Sequence, residues 1–328
     1  MKRPVSCGLI ILICALVPAV THVYMFISTA KAPESTTKIV IPRGCSTWEI
    51  SDKLFLGNII TDPYIFFVMT FACGKARGLK AGTYMFKDRL YPKEIMNILF
   101  NGKTMQYAVT IPEGSDIYDI ARILEDHDLC ERETFIALAK ASDTVRLFGL
   151  DAPSMEGFLY PDTYFFFVDM TPLGIMEKMV SRFHSIYTEG MARKASATGL
   201  SDLEAVTLAS IIEKEAVRSE ERPIISSVFH NRLRSSMRLQ SDPTVIYGIE
   251  TFHGKIQHKD ILRKSPYNTY LRKGLPPGPI CNPGKDSILA AVNPVETRYL
   301  YFVARGNGYH TFSSTLKAHN RAVRQMNH

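Results

Sequence analysis

One stretch of this chain occurs twice. Ile39-Val40-Ile41-Pro42-Arg43-Gly44 is echoed by Val109-Thr110-Ile111-Pro112-Glu113-Gly114, 70 residues later. The match runs on, with Ile120 answering Ile50 and Leu124 answering Leu54. In each copy a short β-type run meets a Pro, a Gly makes the turn, and apolar residues then recur at helical spacing. A second helical segment follows each copy, at residues 63–71 and 133–140. Ser46 and Glu49 have the spacing of a capping box, which starts the first helix of the first copy. Two copies do not make a solenoid, so the repeat points to a small αβ unit used twice. Between the copies, residues 82–86 read as a strand. Residues 91–100 read as a helix opened by Pro92.

The first 30 residues bear on the compartment. Met1-Lys2-Arg3 precedes an uncharged run from Pro4 to Ala30, whose centre, Gly8 to Val17, is strongly apolar. About 20 apolar residues span a bilayer. A signal-peptide core is shorter, about 7–15 residues, and this run continues through Val23, Tyr24, Met25, Phe26 and Ile27. The expectation is an uncleaved anchor over 5–30. Residues 1–4 are then cytoplasmic, held there by Lys2 and Arg3, and the rest lies outside the inner membrane. The rival is a leader cleaved after Ser28-Thr29-Ala30. Residues 31–38, polar and containing Pro33, read as a juxtamembrane linker.

At 328 residues there is room for about two domains. The net charge of +7 suits nucleic acid, anionic lipid or an anionic polymer. The chain has no Gly-rich phosphate loop, no aromatic RNA-binding signature and no long basic tract, so nucleic acid is set aside. Cys7 and Cys14 lie in the apolar run. Cys45, Cys73, Cys130 and Cys281 lack metal-ligand spacing, so neither a metal nor another cofactor is expected. Three disulfide pairings of these four are open, and buried free thiols are the simplest expectation.

Further along, residues 156–167 are unusually aromatic and read either as a buried strand or as one wall of a sugar cleft, since apolar sugar faces pack on rings. Helical patterns return at 174–187, 203–218 and 222–233. The texture then changes to turn-rich sequence, from Met237 to Gly248, Ser265 to Tyr270 and Gly274 to Gly284. Long ordered loops of this kind usually build a site. Short strands at 299–304 and 310–312 precede a terminal helix at 316–325.

Within the helix at 203–216, Leu208, Ile211, Ile212 and Glu215 fall at i, i+3, i+4 and i+7 and share a face. Glu213 lies roughly 200° from Glu215 around the axis, so the two cannot serve one cleft. A carboxylate on an apolar stripe is either paired with a cation, here Arg218 or Arg222, or kept partly protonated by desolvation. The second state is the one a general acid needs.

Ala209-Ser210-Ile211-Ile212-Glu213-Lys214-Glu215 resembles the signature of the membrane-anchored endolytic murein transglycosylase family (MltG, YceG-like). So do Phe229-His230-Asn231-Arg232-Leu233, Met237 to Gly248, Tyr267-Asn268-Thr269-Tyr270, Gly274-Leu275-Pro276-Pro277-Gly278 and Tyr299-Leu300-Tyr301-Phe302-Val303. The resemblance covers nearly all of residues 38–328. It implies an α+β fold, with a LysM-like αβ subdomain over 39–105 and a mixed α/β catalytic domain over 106–328. It also implies a lyase that cuts peptidoglycan glycan strands, with Glu215 as the catalytic acid. Ala216 and His230 depart from the family pattern, which more often has a hydroxyl residue and an aliphatic one there. Gln240, Asp242, Tyr247, Tyr267 and Asn268 are the expected substrate-binding residues, and peptidoglycan synthases are candidate partners.

The chemistry can also be argued from the residues. Glycosidases ordinarily need two carboxylates, about 5–9.5 Å apart depending on outcome. One glutamate is prominent here. Glu215 would protonate the glycosidic oxygen after N-acetylmuramic acid, and the sugar's own 6-hydroxyl would then attack C1, leaving a 1,6-anhydro end. Asp242 and Glu156 are the candidates for a second carboxylate, and otherwise read as loop-capping and surface charges. Two alternatives stand beside the transglycosylase: a non-catalytic glycan-binding scaffold, and a hydrolase using Glu215 with Asp242.

Overall fold

Both copies of the repeat fold into the same succession of elements in the computed structural model of the chain. The structure describes residues 5–326 apart from 34, 103–105, 168–169, 250–251, 253 and 255, and within the first helix it describes side chains from residue 16 onward. The expected cytoplasmic residues 1–4 lie outside the described residues. Two units are distinguished, one of Met1–Tyr107 with Phe165–Asp169, the other of Ala108–Tyr164 with Met170–His328.

The first unit contains α1 (Val5–Ser28), β1 (Thr37–Ile41), α2 (Thr47–Leu56), α3 (Pro63–Ala72), β2 (Gly82–Phe86) and α4 (Pro92–Asn101). Strand β1 pairs antiparallel with β2, Thr37 opposite Phe86 and Ile41 opposite Gly82. Alternation on β1 turns Ile39 and Ile41 inward. They meet Leu54, Phe66, Tyr84 and Leu99 in one core, which also takes in Phe26 of α1. Each such side chain contributes about 1.5–3 kcal/mol on burial.

Helix α1 covers most of the expected anchor. Among the described residues, however, no helix is long and apolar enough to cross a membrane. The most apolar part of the run falls on residues whose side chains are not described. The expected linker is not slack at its start: Lys31 exchanges backbone hydrogen bonds with Leu90 at 3.0 and 2.9 Å. The Arg89 guanidinium donates to the Ala30 carbonyl at 2.9 Å.

Strand β3 (Gln106–Thr110) opens the second copy, followed by α5 (Ile117–Asp126) and α6 (Arg132–Lys140). The caps repeat as well as the elements. Ser46 with Glu49 and Asp116 with Asp119 form capping boxes 70 residues apart. Gly44 and Gly114 both take positive φ at the turn, and so do Asn58 and Asp128 beyond the helix. These are positions where a Cβ-bearing residue is strained and Asn or Asp is best tolerated. The strand β4 (Thr163–Phe167) pairs with β3.

The remaining elements are α7 (Ser142–Leu147), α8 (Pro172–Ile186), α9 (Glu189–Ala197), α10 (Asp202–Glu215), α11 (Arg222–Arg234), α12 (Pro243–Ile246), α13 (His258–Ile261), α14 (Lys285–Val292), β5 (Tyr301–Ala304), β6 (His310–Ser313) and α15 (Leu316–Met326). The result is an α+β architecture with small sheets, each of two strands. Helix α10 is the central helix of the second unit. Every residue from Ala205 to Ile212 is buried, so the expectation of a single apolar stripe gives way to a helix enclosed on all sides. Its small residues Ala205, Ala209 and Ser210 permit close approach by neighbours, and α14 packs along it with Ala290 and Ala291.

Only the end of the aromatic run is a strand. Phe158 turns into the core, edge-on to Phe183 with ring centroids 5.1 Å apart, whereas Phe165 is exposed. The four described cysteines are free thiols; Cys281 is buried and Cys73 exposed, so burial of all four thiols is not what the structure shows.

Candidate functional site

Ser201 caps the start of α10 with Glu204 in a capping box, and the helix stops where Ala216 turns to extended geometry at ψ 113°. Glu215 is thereby the last helical residue, half-buried at the point where the chain leaves the core. Ser241 Oγ donates to Glu215 Oε1 at 2.6 Å. Desolvation pushes the carboxyl up to about 7; Ser241 opposes this, Asp242 adds to it, and the charges of His310 and Arg232 pull slightly downward.

The residues around Glu215 come from four separate segments of the second unit. Ser241 and Asp242 precede α12. Tyr270 donates its hydroxyl to Asp242 Oδ1 at 2.6 Å. Arg232, on α11, is held by the carbonyls of Leu300 at 2.7 Å and Leu239 at 2.6 Å. The imidazole of His310 and its backbone N–H both engage the Glu221 carboxylate, at 2.8 and 3.0 Å. Ser241, Tyr270, Arg232 and His310 were not among the expected site residues. Ser241 had a signal, standing beside Asp242 in the turn-rich run. His310 had none, because its place is set 95 residues from Glu215 in sequence.

The expected substrate residues fall into three groups. Asp242 and Gln240 are exposed, and Gln240 has a positive φ of 49° with its N–H on the Thr269 carbonyl at 3.3 Å. Tyr247 and Tyr267 are half-buried and form a ring pair, centroids 4.6 Å apart. Asn268 is fully buried. Its amide donates to the carbonyls of Ile261 and Arg263 at 2.9 and 2.7 Å, and its oxygen accepts from Tyr270 N–H at 2.9 Å. All its polar atoms therefore serve the loop that carries Tyr267 and Tyr270.

Neither expectation for the neighbouring acids survives unchanged. Arg222 pairs with Glu213 at 3.1 Å, both side chains nearly buried, so one of the two cations considered for Glu215 serves Glu213 instead. Glu213 Oε2 also accepts from Gly284 N–H at 2.9 Å. Glu156 is no surface charge. It is fully buried, and accepts from Ile117 N–H at 3.1 Å, Asn282 Nδ2 at 2.9 Å and the Tyr247 hydroxyl at 3.0 Å. Burial and the nearby Asp116 push its carboxyl up to about 8. When it is protonated, the Tyr247 oxygen is the one of these three partners that can accept its proton in a hydrogen bond, since Ile117 N and Asn282 Nδ2 carry hydrogens of their own.

Ala216 carries no hydroxyl, and the hydroxyl on the acid is that of Ser241. His230 is buried on α11, bonded to the Ala291 carbonyl at 2.8 Å, and desolvation lowers its pKa. Among the described residues no group of three or more His, Cys, Asp or Glu side chains could hold a metal ion.

A model of the YceG-like family matches residues 39–325. The chain belongs to this family. It is 35% identical over 308 residues to an endolytic murein transglycosylase of Bacillus subtilis (strain 168), covering 89% of this chain and 85% of that protein. It is 29% identical to an endolytic murein transglycosylase of Streptococcus pneumoniae (strain ATCC BAA-255 / R6), covering 86% of this chain but 57% of the longer relative. Among solved structures, a Listeria monocytogenes protein described as YceG-like aligns at a TM-score of 0.61 and 32% identity, over 88% of this chain and 99% of that one. Family membership thus covers both the repeat and the Glu215 site.

Proposed function

We propose that the chain is an endolytic lytic transglycosylase of peptidoglycan. The observation that carries this is the state of Glu215: a half-buried carboxyl at a helix end, held by one hydroxyl and pushed up to about 7. A carboxyl of that kind is protonated for an appreciable fraction of the time near neutral pH, as a general acid requires. The names of the related proteins supply the substrate class.

In the proposed reaction Glu215 gives its proton to the glycosidic oxygen that joins N-acetylmuramic acid to the next sugar. The C1–O bond breaks, and the acetamido group of the same sugar stabilises the cationic centre. The Glu215 carboxylate, held by Ser241, then takes the proton of the sugar's own 6-hydroxyl as that oxygen bonds to C1. The acid is regenerated, a 1,6-anhydro end forms, and no water is consumed. Such an end stops elongation of a nascent strand. Gln240, Asp242 and the Tyr247–Tyr267 pair line the substrate path, and Asn268 keeps that loop in shape.

The wider reading follows from the same assignment. The second unit is the catalytic part, and the first is a LysM-like subdomain carried on α1. Helix α1 anchors the chain in the inner membrane, with the rest outside the cytoplasm, where glycan synthases are the natural partners. A hydrolase using Asp242 as a second carboxylate is the second reading, favoured by the position of Asp242 beside Ser241. Mass spectrometry of glycan digests separates the readings. Anhydro ends that vanish in Glu215→Gln support the transglycosylase, reducing ends the hydrolase, and intact glycan a binding scaffold.

A further inference from the structure

The first unit carries an aromatic face that its own fold does not cover. Tyr64, Val68 and Phe71 stand at i, i+4 and i+7 on α3 and are 69%, 62% and 54% exposed. Trp48 of α2 joins them, with its ring centroid 4.8 Å from Tyr64 and 5.8 Å from Phe67. Phe67 in turn lies 4.8 Å from Phe71. Residues 63–74 contain no charged side chain. Isolated exposed apolar residues are ordinary, but a contiguous set with this aromatic content marks a contact surface.

The position of α1 identifies what that surface meets. His22, six residues before the end of α1, bonds the α3 N-cap Asp62 at 3.0 Å. The start of α3 therefore lies alongside α1 about 9 Å back from its end, at 1.5 Å per residue. Phe26 of α1 is locked in the core of the same unit, and the Lys31–Leu90 bridge removes slack after the helix. Val20, Val23, Tyr24 and Ile27 are exposed and give α1 apolar surface of its own. The unit that carries this face is basic in composition, since residues 31–107 hold eleven Lys or Arg against six Asp or Glu. Tyr and Trp favour the bilayer interface, and basic residues favour anionic headgroups.

We infer that the Trp48–Tyr64–Val68–Phe71 face seats on the surface of an anionic phospholipid bilayer, fixing the first unit against the membrane. The inference rests on the reading of α1 as an anchor. It makes the first unit a membrane-seated platform rather than a tethered module.

Trp48 is the only tryptophan in the chain, so it reports the contact without labelling. The full chain is reconstituted in phosphatidylcholine–phosphatidylglycerol vesicles with or without acyl-brominated lipid. Brominated lipid should quench Trp48 by about twofold, and aqueous iodide should quench it less than in the Tyr64→Ser/Val68→Ser/Phe71→Ser variant. That variant should still float with vesicles and keep its helical circular dichroism. If the wild-type chain floats while Trp48 stays open to iodide and blind to bromine, the seating is overturned and the anchor stands. If the chain does not float, the anchor reading fails and the seating with it. Protection of Trp48 by soluble glycan fragments or by rising protein density at fixed lipid, without bromine quenching, would assign the face to sugar or to a second copy and overturn the inference.

Discussion

Ser241 donates a 2.6 Å hydrogen bond to Glu215 from 26 residues away in sequence. This bond favours the ionised carboxylate and so opposes the desolvation that raises it. Replacing Ser241 with Ala should therefore raise the Glu215 pKa above about 7. Activity needs the protonated acid and falls as pH rises through that pKa. The alkaline limb of the pH–rate profile of Ser241→Ala should move upward; an unmoved limb would show that Ser241 does not tune the acid.

Glu215→Gln keeps the shape and removes the transferable proton. General acid catalysis is worth about 10²–10⁴-fold, so cleavage should fall by that factor with the melting temperature unchanged. A Gln variant that cuts glycan within a few-fold of the parent would sink the assignment.

Glu213 makes the opposite prediction. It is paired with Arg222 in a nearly buried site. Removing one partner of a buried pair costs about 3–5 kcal/mol, so Glu213→Ala should lower the melting temperature. Turnover per folded molecule should remain close to that of the parent. Thermal unfolding and turnover measured on one preparation test this, and a large loss of turnover without loss of stability would move the acid to Glu213.

Glu156 should leave its mark on stability against pH. Its folded carboxyl is raised from 4.5 to about 8, so between those values the native state binds more protons than the unfolded one. Stability attributable to this group is highest below its unfolded pKa, declines as pH rises, and levels off above about 8. Glu156→Gln removes the titration. Denaturant unfolding from pH 5 to 9 should show a shallower decline in the variant, and equal slopes would mean that Glu156 titrates normally.

Gly157 lies next in the chain, at φ 88°. A Cβ there would stand 2.4 Å from Pro279 Cγ and 2.9 Å from Val206 Cγ1. Gly157→Ala combines positive-φ strain with overpacking, together about 2–6 kcal/mol. A melting temperature within a degree of the parent would contradict the packing described.

Much of the fold was legible because its signals are local. Capping boxes act between i and i+3, turns need Gly or Asn where φ is positive, and the offset of 70 made each copy of the repeat a check on the other. The place of Glu215 was legible for a similar reason, as a carboxylate at i+7 from Leu208 near the helix end, although α10 proved buried all round from Ala205 to Ile212 rather than striped. Of what surrounds Glu215, the run holding Ser241 and Asp242 was legible, and the approach of Arg232 and His310 was not.

Sequence alone determined the αβ repeat, the helix that ends at Glu215, and the loops that bring polar side chains after it. Tertiary structure alone decided that Arg222 serves Glu213, that Ser241 serves Glu215, and that Glu156 lies buried beneath Tyr247. The reason is physical: desolvation and pairing depend on which distant segments close over a carboxyl. Glu156 and Tyr247 are 91 residues apart, and no periodicity in a chain reports a contact of that kind.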